Sequence, residues 1–127
     1  MKRTLAEFYV PGVPEPKGSM RQMGKAIINA SPKTAAWQGR ISFFARKAAP
    51  EVWAGPVAVY LNFKFTPPRG WSAEGAHGTK PDLDKLVRCV LDGLTGVVYT
   101  DDCLVAAVVA DKWWSNESGV HVHVREA

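Results

Sequence analysis

The chain has 127 residues, 46% apolar and 22% charged; that is the length and balance of one globular domain and excludes disordered and fibrous classes. No apolar run reaches the length of a membrane span and the N-terminus has no long hydrophobic core, so a soluble, cytoplasmic protein with no membrane partner is expected. The formal charge of +4 is unevenly spread: residues 1–50 carry nine Lys/Arg against two Glu, and residues 51–127 carry seven against ten acidic residues, a pattern that suits a protein holding a polyanion against a cation, or a plain solvated basic surface.

In chain order, Leu5 to Val10 reads as a first strand ended by Pro11-Gly12. Pro14 to Arg21 has no apolar period and is a loop; Lys17, Arg21 and Lys25 stud this region, and Gly18 and Gly24 permit close backbone approach. Phosphate contact and simple solvation both fit it. Lys25 to Asn29 pairs back as a short strand. Ser31-Pro32 is a hydroxyl cap followed by proline in the first turn, opening a helix over Pro32–Ala49 whose buried stripe is Trp37, Ile41, Phe44 and Ala48.

Val57 to Phe65 alternates and is a strand with one buried face. Arg69 to Thr79 lacks periodicity and is long enough to be functional or mobile; Trp71 is expected to fold back on the core, with substrate contact by Trp71 and His77 as the alternative. After Pro81 the stripe Leu83, Leu86, Val87, Val90, Leu91 and Leu94 marks a second helix, with Asp84, Arg88 and Asp92 in a row on its other side. Cys103 to Ala110 is nearly continuous apolar sequence, the signature of a central strand covered on both faces. A last strand runs from Val120 to Val124; His121 and His123 have no third ligand nearby and read as its outer face. Cys89 and Cys103 lack a zinc or disulfide spacing and are expected to be buried or half-buried. The expected fold is therefore α/β (α+β), one domain over residues 1–127, with a mixed sheet of about five strands and two main helices.

The stretch Lys80–Leu104 holds five Asp in an otherwise basic protein. Inside one helix Asp82 and Asp84 would point about 200° apart, but Pro81 biases Lys80 away from helix, so regular helix is expected to begin after Asp82 and the two carboxylates can converge. The same pair also reads as an N-cap and a first-turn acid favoured by the helix dipole. Asp101-Asp102, at the start of the next strand, adds carboxylates, and such a set suits Mg²⁺ or Mn²⁺. Whether that strand returns to the helix's N-terminal end is left open by the sequence.

Lys80-Pro81-Asp82-Leu83-Asp84, then Arg88, Asp92-Gly93-Leu94, Gly96-Val97, Tyr99 and Asp101-Asp102, resembles the RusA family of Holliday junction resolvases, and Pro11 to Lys17 is similar to that family's N-terminal strand and basic loop. The resemblance implies a homodimer that cuts four-way or branched DNA with Mg²⁺ and no organic cofactor. By matching positions it implies Asp82, Asp84 and Asp102 as metal-binding catalytic acids, with Asp101 beside them, and Arg88 at the family's catalytic or DNA-contacting lysine. Lys17, Arg21, Lys25, Lys80 and Lys85 are the expected DNA contacts. Arg88, Lys85 in place of an asparagine and Leu104 in place of a glutamine depart from the usual pattern and bear on rate and substrate choice. A branched- or flap-DNA nuclease without four-way preference, and a non-catalytic DNA-binding module, are the competing readings.

Overall fold

The structure, a computed structural model, describes residues 2–18, 21–23, 26–28 and 31–127. Strand β1 (Thr4–Pro11) is followed by a short antiparallel hairpin, β2 (Arg21–Met23) and β3 (Ala26–Ile28), then helix α1 (Pro32–Ala48), strand β4 (Val57–Phe65), helix α2 (Leu83–Leu94), a 3₁₀ turn at Asp102–Leu104, and strands β5 (Val105–Trp114) and β6 (Gly119–Glu126). The main sheet has the order β1-β6-β4-β5; β6 is antiparallel to both neighbours, and β5 is parallel to β4. The fold is α+β, with a mixed four-stranded sheet and two helices.

Local chemistry explains both helix starts. Ser31 accepts a hydrogen bond from Thr34 N at 3.2 Å, satisfying one of the donors a helix leaves free, and Pro32 opens α1. The α1 stripe of Thr34, Trp37, Ile41 and Ala45 is buried, with Phe44 and Ala48 packed beside it. Leu86, Cys89, Val90 and Leu94 of α2 meet the inward residues Val57, Val59, Leu61, Phe63 and Phe65 of β4 in the same core. At Gly93 an added Cβ would lie 3.0 Å from Ile41 Cγ2 and 3.1 Å from Gln38 O, so a glycine there lets α1 and α2 approach closely. The other sheet face is polar: Arg125 donates to Tyr60 Oη, and His121 and His123 face Glu7 and Thr4.

Several expectations need correction. The apolar run after Cys103 does not form a central strand: β5 is the open edge of the sheet, and Val108 and Val109 are 40% and 57% exposed. Its composition is that of a strand covered on both faces, but α2 covers only part of one and no strand lies outside it among the described residues. Cys103 is exposed because it sits in the 3₁₀ turn rather than in the sheet, while Cys89 is buried in α2. Trp71 is 56% exposed rather than folded into the core. Arg21 opens β2 instead of ending a loop. The Lys25 and Asn29 ends of the predicted second strand lie outside the described residues, and nothing is described of the Arg21 side chain.

Candidate active site

Regular helix begins at Leu83, and Asp82 occupies the N-cap position with extended backbone (φ −68°, ψ 135°). An N-cap aspartate normally accepts from a backbone N–H of the first turn; Asp82 makes no such bond, and its carboxylate faces Lys85 Nζ at 3.5 Å and Lys80 Nζ at 4.0 Å. Asp84 lies exposed in the first turn, where the helix dipole favours a negative charge, and Arg88 lies exposed one turn on. Lys80, with its side chain 89% exposed, stands outermost.

A residue that sequence reasoning missed secures this entrance. Lys112, on β5, donates to the carbonyls of Thr79 and Pro81, the latter at 2.6 Å. His77 N donates to Lys112 O at 3.1 Å, which ties the same loop to the same strand. Burial lowers the Lys112 pKa and the nearby Asp82 carboxylate opposes that shift. The only sequence signal was a lysine interrupting an apolar run, and nothing in its spacing points to residues some thirty positions upstream.

Lys17 is similarly engaged. Its ammonium lies 3.2 Å from Asp92 Oδ2 and donates to Gln38 Oε1 at 3.0 Å, while its backbone N donates to Lys85 O at 2.9 Å. It braces the Pro14–Gly18 segment against α1 and α2, and Asp92 is thereby taken out of the exposed acidic row.

The second aspartate pair sits elsewhere. Asp101 caps the 3₁₀ turn, accepting from Cys103 N at 3.0 Å, and this hydrogen bond holds its carboxyl below the usual range. Asp102 begins the turn and is exposed. Buried Tyr99, its hydroxyl donating to Leu91 O, anchors the preceding loop to the C-terminal end of α2; burial pushes its pKa to about 12.

Because β4 and β5 are parallel and α2 connects them, α2 runs back against both strands. Asp82 and Asp84 therefore stand at the end of α2 beside Lys112, and Asp102 at the end beside Val105. The 12 residues of α2 span ~18 Å at the usual helical rise, and the seven steps from Val105 to Lys112 span ~23 Å of strand. Among the described residues no three His, Cys, Asp or Glu side chains gather closely enough to hold a metal ion. The donor type fits a hard divalent cation, since Asp82, Asp84 and Asp102 all offer carboxylate oxygens, but one chain does not bring the three together.

Comparison with known proteins places this geometry in context. The curated relatives include an uncharacterized protein, YqaN, of Bacillus subtilis (strain 168), 29% identical over 136 residues that cover 94% of this chain and 95% of that one. The family model described as endodeoxyribonuclease RusA matches residues 10–125, from the end of β1 to the end of β6, with Asp82, Asp84 and Asp102 inside the match. The chain belongs to the RusA family of endodeoxyribonucleases, the Holliday junction resolvases of DNA recombination and repair.

Proposed function

We propose that this protein is a Mg²⁺-dependent endonuclease (Mn²⁺ being an alternative ion) that resolves four-way DNA junctions by paired phosphodiester hydrolysis, and that it works as a homodimer in the cytoplasm. The observation that carries the reading is Asp82: it occupies a cap position yet caps nothing, beside Asp84, on a chain matched to junction resolvases over nearly its whole length. Asp82 and Asp84 would hold the metal, which would supply Lewis-acid polarisation of a phosphoryl oxygen and a water acidic enough to attack at neutral pH. Lys80 and Lys85, which lie beside the Asp82 carboxylate in the structure, would be released to the DNA phosphates with a cation at Asp82. Arg88 steadies the charge that develops on the phosphate, and Arg21 and Lys25 extend the phosphate contacts.

The third carboxylate comes from the second subunit. From Val105 to Asp111 β5 has no partner on its outer edge among the described residues and both faces are partly apolar, the kind of strand another strand covers, whereas Gly75–His77 pair with that edge at Lys112–Trp114. Antiparallel pairing of this open stretch with its two-fold copy sets Val105 of one subunit toward Asp111 of the other. That register carries the partner's Asp102 toward the Lys112 end, where Asp82 and Asp84 stand. A standard interface covers about 800 Å² per partner, roughly a tenth of the 7609 Å² accessible here. Two sites related by a two-fold axis match the two-fold symmetry of a four-way junction.

The test is cleavage of a synthetic four-way junction in Mg²⁺ with the incisions mapped. Asp84→Asn is expected to bind the junction and cut it at least ~100-fold more slowly, a loss at the upper end of what disturbing even a metal ligand's supporting contacts costs. Wild-type rates from Asp84→Asn would refute the metal assignment, and equal cutting of four-way, three-way and linear DNA would remove the resolvase assignment.

A further inference from the structure

The loop between β4 and α2 carries an aromatic cluster that the catalytic reading does not use. His77 is 5% exposed and lies flat on Trp114, with ring centroids 3.8 Å apart and planes at 12°. Phe65 meets His77 edge-on at 4.8 Å, and Trp71 meets Trp114 edge-on at 5.9 Å. Thr79 N donates to His77 Nδ1, so that nitrogen carries no proton, and burial together with Lys112 lowers the ring's pKa. His77 is therefore a neutral, apolar-facing plate in the floor of the cluster.

Trp71 differs from its neighbours. Trp37, a core residue, is 4% exposed; Trp71 is 56% exposed and contributes little to the core. It is nevertheless held in place. Trp71 N donates to Pro68 O at 2.9 Å, Gly70 and Gly75 take positive φ on either side, and Trp114 N donates to Gly75 O at 2.9 Å. A large ring displayed on an anchored loop loses little entropy when something stacks on it, since only two side-chain torsions remain to be fixed.

The cluster lines a cavity of about 390 Å³ whose wall also includes Glu15 and whose rim is Lys80 and Pro81, the residues next to Asp82. That volume is within the range of about 300–1,000 Å³ typical of small-molecule sites. The chemistry of the wall selects its occupant. A phosphate is disfavoured by the aromatic wall, whereas a nucleobase offers a flat π-face to Trp71 and an exocyclic amino group that Glu15, a residue shared by this wall and that of the cavity along α1, can accept from. Lys80 at the rim is placed for the phosphate attached to such a base.

We propose that this cavity receives one nucleobase unstacked at the branch point of the DNA, with Trp71 as the stacking face and Glu15 as the group that reads the base edge. The proposal rests on the junction-endonuclease reading and explains how that site distinguishes a branch from a duplex. A base in a continuous duplex costs a few kcal/mol to unstack, whereas a base at a branch has already lost part of its stacking. Trp71 and Glu15 touch substrate but no reacting atom, and they set where the DNA is cut rather than how.

The experiment measures binding of full-length protein to a four-way junction and to linear duplex of the same sequence in EDTA, where no cutting occurs. Trp71→Ala is expected to weaken junction binding about tenfold, within the range for removal of one stacking aromatic, while duplex binding stays within twofold. Trp71→Phe, which keeps a π-face, is expected to recover most of the preference. Glu15→Gln, which replaces a carboxylate acceptor by an amide at the base edge, is expected to shift the mapped incision sites in Mg²⁺ toward other bases, and unchanged incision sites overturn the role given to Glu15. Unchanged junction affinity in Trp71→Ala, or an equal loss on both DNAs, overturns the pocket alone. Absence of junction preference in the unsubstituted protein overturns the underlying reading with it.

Discussion

A site shared between subunits makes a prediction that a site within one chain does not. Asp82 and Asp84 lie at one end of α2 and Asp102 at the other, ~18 Å along the helix, so the shared arrangement draws two acids from one subunit and one from its partner. Consider Asp84→Asn and Asp102→Asn, each inactive alone. In a heterodimer of the two, one site combines both lesions, while the other combines the intact Asp82 and Asp84 of one subunit with the intact Asp102 of the other. Equal mixing with free exchange makes about half the dimers mixed, each with one of two sites restored, so about a quarter of the wild-type site concentration returns. The assay is junction cleavage after the two proteins are unfolded together and refolded, resolved so that nicked junctions separate from paired cuts. Single nicks are expected at about a quarter of the wild-type rate, with paired resolution remaining rare because each mixed dimer cuts once. Absence of recovered nicking, in a mixture shown to contain mixed dimers, would refute a shared site.

Other outcomes follow from individual contacts. Val109→Lys places like charges across the two-fold edge; sedimentation is expected to report a monomer and cleavage is expected to fall with it, and an active dimer would show that β5 is not the interface. Lys112→Met removes the donor to Thr79 and Pro81; a stability loss of ~1–3 kcal/mol by denaturant unfolding, together with slower cutting, is expected from the orphaned carbonyls. Gly119→Ala drives a Cβ to 2.1 Å from Tyr9 Oη and 2.7 Å from Val10 O; overpacking of that kind costs about 1–3 kcal/mol, and an unchanged melting temperature would contradict the β1–β6 packing. His77 resists protonation in the folded chain, so the unfolded chain binds the extra proton as pH falls through the ordinary histidine range. Its contribution to stability is present above that range and is lost on acidification; His77→Phe is expected to flatten this dependence in thermal melts between pH 7 and pH 5. Burial pushes the Cys89 thiol to about 11, so a disulfide reagent near neutral pH is expected to reach exposed Cys103 and to leave Cys89 unmodified until the chain unfolds.

What the sequence disclosed and what it hid separate along physical lines. Helix α2 was legible because its stripe, its proline and its aspartates are local signals, and the extended Asp82 agrees with the expectation that regular helix begins after it. β4 was legible from strict alternation, and α1 from a cap and a stop. Non-local arrangement was hidden. Apolar content reports that β5 needs cover on both faces, not whether the cover comes from its own chain. Direction was hidden as well: nothing in residues 83–105 states that β5 lies parallel to β4, and that fact sends Asp102 to the far end of α2. Asp101 caps the 3₁₀ turn, a role the sequence did not display because a turn and a strand start share the same residue types. The ion pair of Lys17 with Asp92 joins positions 75 residues apart, which no local pattern encodes.

That ion pair ties two parts of the proposed site together. The segment holding Glu15 is stapled at Lys17 to Lys85 O near the start of α2 and to Asp92 near its end, so it lies along the helix that bears Asp84 and moves with it. The Glu15 wall of the cavity and the carboxylates of Asp82 and Asp84 thus belong to one stiff piece. On the proposed reading such a piece would act as a ruler: whichever base entered the cavity, the phosphate presented to Asp82 and Asp84 would lie at a constant offset from it. The incision position would then be measured from the branch by the protein's own dimensions.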